Sequence, residues 1–155
     1  MRKRIYIETT IPSFYFEARS EPSMAARREW TRAWWDGTKN RHDLVTSEAV
    51  LEELSQGDFP AREACLQLIA GLPLVPVDAA VAEIVRTYIV RRVMPGNPVG
   101  DALHLALASH HRCDFLVTWN CTHLANANKF GHIRPDNARL GVFVPALVTP
   151  LELLG

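Results

Sequence analysis

The feature that most constrains this chain is an alternation of short, continuously apolar runs with segments of helical period. Ile5-Tyr6-Ile7, Leu44-Val45-Thr46 and Phe115-Leu116-Val117-Thr118 are β-prone runs too short and too apolar to keep one face in water. Between them, residues 23–35 place Met24, Trp30 and Trp34 at roughly helical spacing before Asp36-Gly37. Ser47 is a plausible N-cap for a helix over residues 48–56, which Gly57 ends, and residues 61–71 carry Ala61, Ala64, Cys65, Leu68 and Ile69 on one face. Asp78 caps a further helix with Val81, Ile84, Val85, Tyr88 and Ile89 on its stripe, broken by Pro95-Gly96-Asn97-Pro98. Asp101 opens another, and residues 102–108 are apolar almost all round, as expected of a helix held in the interior. Residues 72–77 and Val142-Phe143-Val144 read as additional extended runs. The expected architecture is α/β: three layers, α/β/α, with a mostly parallel central sheet.

A length of 155 residues suits a single domain spanning 1–155. No apolar run reaches the roughly 18 residues of a membrane span. With 17 basic and 17 acidic residues the chain has no global positive field, so any contact with nucleic acid must be local. Arg2-Lys3-Arg4, Arg27-Arg28 and Arg91-Arg92 are the available patches, and each is equally the composition of a solvated face. Cys65, Cys113 and Cys121 are odd in number and form no C-x-x-C pair, against a disulfide framework or a structural zinc site and in favour of a reducing, cytoplasmic compartment. Neither a Rossmann nor a Walker glycine motif is present, which argues against a nucleotide-binding domain. A phosphatase on a similar sheet would want a D-x-D after the first strand, where this chain has Glu8-Thr9-Thr10.

Ligands of open parallel sheets bind beyond the carboxyl ends of the strands. Glu8 directly follows the first strand, Glu53 lies in the helix after the second, Asp101 starts the interior helix, and Thr118-Trp119-Asn120 follows a later strand. Asp101 also has a purely structural reading, as a residue favoured near a helix N-terminus, and Glu53 as an exposed neighbour of Glu48 and Glu52. Carboxylates brought together from separate elements repel one another unless a cation lies between them. All-oxygen ligation selects Mg²⁺, with Mn²⁺ a possible substitute, over zinc. His104, three residues after Asp101, and His110 and His111 at the far end of that helix form no H-E-x-x-H motif and read as core or surface histidines.

Four segments resemble the PIN-domain endoribonucleases, and among them the VapC-type toxins of bacterial toxin–antitoxin systems. They are Tyr6-Ile7-Glu8-Thr9-Thr10; Thr46-Ser47 leading to Leu51-Glu52-Glu53-Leu54; Gly100-Asp101-Ala102-Leu103-His104-Leu105-Ala106; and Leu116-Val117-Thr118-Trp119-Asn120. The resemblance selects Glu53 over Glu52 and Glu48 as the second acid. It implies Mg²⁺-dependent hydrolysis of RNA phosphodiesters, with Glu8, Glu53 and Asp101 as metal ligands. Asn120, and with it Thr10 and Thr118, would orient the ligands or the substrate. A small antitoxin protein and a homodimer are the implied partners, and no membrane is involved.

Two positions depart from the family pattern: Glu8 stands where Asp is usual, and Asn120 where an acid is common. Glu keeps the charge on a longer arm, whereas Asn offers a neutral carbonyl oxygen, so one ion is expected more readily than two. The same departures suit a rival reading, a catalytically weakened domain of this kind that binds RNA or protein without cutting. Trp30, Trp34 and Trp35 read first as core and second as an interface.

Overall fold

The computed structural model describes residues 1–91 and 99–154. Among the described residues, four strands form one sheet: β1 (Arg4–Ile7), β2 (Asp43–Val45), β3 (Phe115–Val117) and β4 (Ala146–Val148). Their spatial order is β2-β1-β3-β4 and every pairing is parallel. Side chains of a strand alternate between faces, so the burial of all three of Ile5, Tyr6 and Ile7 requires cover on both sides. Helices supply it, as expected of an α/β chain.

Around the sheet run α1 (Thr10–Tyr15), α2 (Pro22–Thr38), α3 (Glu48–Gln56), α4 (Arg62–Ile69), α5 (Ala79–Val90), α6 (Val99–His110), α7 (Ala127–Leu140) and α8 (Pro150–Leu153). One packed group contains α1, α2 and α8; another contains α3, α5 and α6, with α4 touching both α1 and α3. Helix α6 is the interior helix that its composition demands, with Ala102, Leu105, Ala106, Leu107 and Ala108 fully buried. Trp34 and Trp35 are core residues, while Trp30 is partly exposed and packs against that core.

The expected strand at Val142-Phe143-Val144 does not form; the edge strand is Ala146–Val148. Gly141 ends α7 in the left-handed region at φ 69°, and the buried Asn137 amide donates to the Phe143 carbonyl at 2.9 Å. That carbonyl is therefore committed locally before the chain reaches β4. Within residues 72–77, pairing is limited to an isolated bridge between Thr46 and Leu74. Helix α1 was not anticipated because Pro12 signals a break, yet Pro12 sits in the first turn, where no intrahelical N–H is needed. Helix α7 was hidden by Gly131 and Pro135. The break at Pro95-Gly96-Asn97-Pro98 lies outside the described residues.

From β1 the chain turns through α1 and α2 to β2 on one side, and from β3 through α7 to β4 on the other. Adjacent strands with connections running in opposite directions create a crevice at their carboxyl ends. Glu8 leaves β1 and Thr118 leaves β3 at that crevice.

Candidate functional site

Glu8 is 4% exposed, and its carboxylate is held by groups from both sides of the crevice. Its Oε2 accepts from the Thr10 hydroxyl at 2.6 Å and from the Thr118 hydroxyl, and its Oε1 accepts the Thr10 backbone N–H at 3.2 Å. Each hydroxyl gives its only proton to Glu8, so its lone pairs are free to accept. Thr10 Oγ1 takes the Trp119 N–H at 2.8 Å and Thr118 Oγ1 takes the Asn120 N–H at 2.9 Å. The loop after β3 is thereby tied to the loop after β1 through one carboxylate. Burial pushes the Glu8 carboxyl above its usual range, against the opposing pull of the His104 charge and these hydrogen bonds.

Glu53 reaches the same region from α3, whose inward positions Val50 and Leu54 are buried. Its Oε1 pairs with His104 Nε2, and its Oε2 accepts the Thr9 hydroxyl at 3.1 Å. His104 is 1% exposed, and its Nδ1 lies 2.7 Å from the Tyr6 hydroxyl, which in turn lies 2.7 Å from Ser47 Oγ. Burial alone would drive the imidazole toward neutrality. The Glu53 hydrogen bond and the charges of Glu8, Glu53 and Asp101 outweigh it and raise its basicity. For Glu53 the balance runs the same way: burial raises it, but the His104 bond, the His104 charge and Thr9 bring it below the usual range. All three acids therefore favour the protonated form of one buried imidazole.

Asp101 stands in the first turn of α6, and its Oδ1 accepts the Asn120 Nδ2–H at 3.0 Å. The Asn120 amide has a determined orientation, because its Oδ1 accepts the backbone N–H groups of Thr122 at 3.2 Å and His123 at 3.1 Å. Its NH₂ must then face Asp101. The neutral carbonyl oxygen expected as its contribution is spent on the local turn, and Asn120 presents a donor instead.

The donor set, three carboxylates with threonine hydroxyls, has the hard-oxygen chemistry that Mg²⁺ and Mn²⁺ prefer, and a buried carboxyl raised by desolvation is one that a cation would stabilise. The three carboxylates do not all come within 4.8 Å of one another. Their present partners are His104, Thr9, Thr10, Thr118 and Asn120.

The PIN domain family model matches residues 5–120, most of the chain and all of these side chains. The chain belongs to the PIN-domain family. No curated protein matches it significantly. A solved structure, VapBC2 from Rickettsia felis bound to a DNA fragment from their promoter, is similar at 17% identity and TM-score 0.48, over 77% of this chain and 89% of that one. PIN domains are generally nucleases, and those nucleases generally use a divalent metal ion.

Within this PIN domain the basic patches separate. Arg2 pairs with Asp43, and Arg4 donates to the His111 carbonyl at 2.8 Å; both lie at the start of β1, at the opposite end of that strand from Glu8. Arg91 pairs with Asp136, and Arg92 lies outside the described residues. Arg27 is different: its guanidinium lies 5.2 Å from the Trp119 ring and 5.6 Å from the Phe14 ring, next to Asn120 in sequence and on α1. Sequence reasoning missed Thr9 and undervalued His104. The spacing Asp101 to His104 was a usable signal, since positions i and i+3 share a helix face. Among the described residues, no helix is long and apolar enough to cross a membrane.

Proposed function

We propose that this PIN domain is an Mg²⁺-dependent endoribonuclease, the toxin of a toxin–antitoxin pair of the VapC type, with Glu8, Glu53, Asp101 and Asn120 as its site. The observation that carries the reading is the gathering of three carboxylates from β1, α3 and α6 around buried His104, at the switch point of a parallel sheet. Glu8, Glu53 and Asp101 would hold the ion, with Mn²⁺ a substitute. Bound there, a divalent ion supplies Lewis-acid stabilisation of phosphate charge and lowers the pKa of water.

The chain's own residues do the positioning. Thr10 and Thr118 fix both the Glu8 carboxylate and the backbone of Trp119 and Asn120. His104, anchored by Tyr6, aims Glu53, and Asn120 aims Asp101. Arg27, on the aromatic pair Phe14 and Trp119, is the cation best placed to meet an RNA phosphate. A small antitoxin chain and a second copy of this chain are the proposed protein partners, and the cytoplasm the proposed location.

A second reading, a domain that binds RNA or protein without cutting, draws on a specific observation. Glu8 Oε2 already carries two hydroxyl donors, and Asp101 faces an amide NH₂ where the family often has an acid. Incubation of single-stranded and structured RNAs with the protein, in Mg²⁺ or Mn²⁺ and then in EDTA, separates the two, with Asp101→Asn as control. Cleavage that stops in EDTA and in the variant is expected. RNA left intact by folded wild-type protein with either metal supports the binding module, and cleavage that survives EDTA or the substitution sinks the metal site.

A further inference from the structure

We propose that Asp78, His110 and His111 form a second metal site, for a divalent transition ion of the zinc class, separate from the carboxylate site. Their ligand atoms all lie within 4.8 Å of one another, on two elements that meet there: Asp78 is the N-cap of α5, His110 is the last residue of α6, and His111 follows it. Nine positions separate Asp101 from His110, roughly 14 Å of helix. The two sites lie at opposite ends of α6, and neither proposal depends on the other.

Asp78 and His111 are each oriented by a contact outside the trio. Asp78 Oδ1 accepts the Val81 N–H at 3.0 Å, leaving Oδ2, which stands 3.3 Å from His110 Nε2. His111 Nε2 donates to the Pro76 carbonyl at 2.8 Å, so in the neutral ring the lone pair lies on Nδ1. An imidazole that gives its second nitrogen to a backbone carbonyl is the usual arrangement of a metal-binding histidine.

Helix capping accounts for Asp78 and the helix dipole for a histidine in the last turn of α6, but neither brings two imidazoles onto one carboxylate. Two nitrogens and one oxygen select zinc, nickel or copper over Mg²⁺. Three protein ligands on exposed or half-buried residues leave a fourth tetrahedral position to solvent. Since α5 and α6 pack together, an ion here would clamp the start of one to the end of the other.

The test is calorimetric titration of EDTA-treated, dialysed full chain with Zn²⁺, in millimolar Mg²⁺ to occupy oxygen sites, alongside thermal melting. Wild type should bind one equivalent and melt about 5 to 10 °C higher at 100-fold excess over Kd. Asp78→Asn, which retains a capping side chain, and His111→Ala should each weaken binding at least ~10-fold, while Asp101→Asn should leave it unchanged. Absence of a one-equivalent Zn²⁺ isotherm, binding indifferent to Asp78→Asn and His111→Ala, or binding lost in Asp101→Asn would overturn the assignment. Circular dichroism of Asp78→Asn and His111→Ala excludes unfolding as the cause of any loss.

Discussion

Replacing Asn120 by Asp restores a fourth acid and tests the carboxylate site directly. The new side chain can still accept the Thr122 and His123 N–H groups on one oxygen, so its second oxygen is directed where Nδ2 now lies, 3.0 Å from Asp101 Oδ1. Losing the hydrogen bond to a charged acceptor costs about 1.5–3 kcal/mol. Two like charges at that separation, in a partly exposed site with an effective dielectric of about 40–80, add roughly 1.5–3 kcal/mol. Stronger acceptance of the two backbone N–H groups returns about 1 kcal/mol, and rotation apart or uptake of a proton returns more. A net loss of about 2 kcal/mol in EDTA is expected, a fall in Tm of roughly 4–8 °C for a chain of this size. Saturating Mg²⁺ or Mn²⁺ should close most of that gap and should bind the variant more tightly than wild type, because a cation converts the repulsion into ligation. Thermal and urea unfolding with EDTA or metal, at matched ionic strength, measure both effects. A variant as stable as wild type in EDTA, or one that gains no more from metal than wild type does, would refute the placement of Asp101 and Asn120 in a cation site.

Three further outcomes follow from the same contacts. The raised His104 makes the His104–Glu53 pair most stabilising below about pH 6.5, with the effect lost as pH rises through its raised folded value; the lowered Glu53 is most stabilising above about pH 4.5, with the effect lost as pH falls through its own. Urea unfolding of wild type and His104→Gln in EDTA across that range should therefore differ most between about pH 4.5 and 6.5, and a pH-independent difference would contradict the ion pair. Thr118→Val removes a donor from buried Glu8 and an acceptor from the Asn120 N–H, and should cost about 1.5–3 kcal/mol where Thr118→Ser costs much less; equal unfolding midpoints for the two variants would show that the hydroxyl is idle. Tyr88→Phe strips the donor from the fully buried Asn137 Oδ1 and should cost about 1–3 kcal/mol while leaving any RNA cleavage intact, as read by unfolding and by the RNA assay.

The amino-acid sequence by itself determined the α/β class, the parallel sheet, the interior α6 and the candidate acids, because period, capping and strand-end position are local properties written in neighbouring residues. Glu8 after β1 and Asp101 in the first turn of α6 could be found that way. The tertiary structure alone decided what each acid touches: His104 meets Glu53 across 51 positions, and Thr118 meets Glu8 across 110. The spacing from Asp101 puts His104 on the same helix face, but neither that histidine nor a strand-end threonine shows locally that a carboxylate waits opposite. The orientation of Asn120 was likewise undecided until the turn at Thr122 and His123 claimed its oxygen. The edge strand shows the same division: Val142-Phe143-Val144 has the β propensity, but Asn137 holds the Phe143 carbonyl, and the register with β3 falls to Ala146–Val148. Propensity proposes an extended segment, and competition for its backbone hydrogen bonds decides which residues pair.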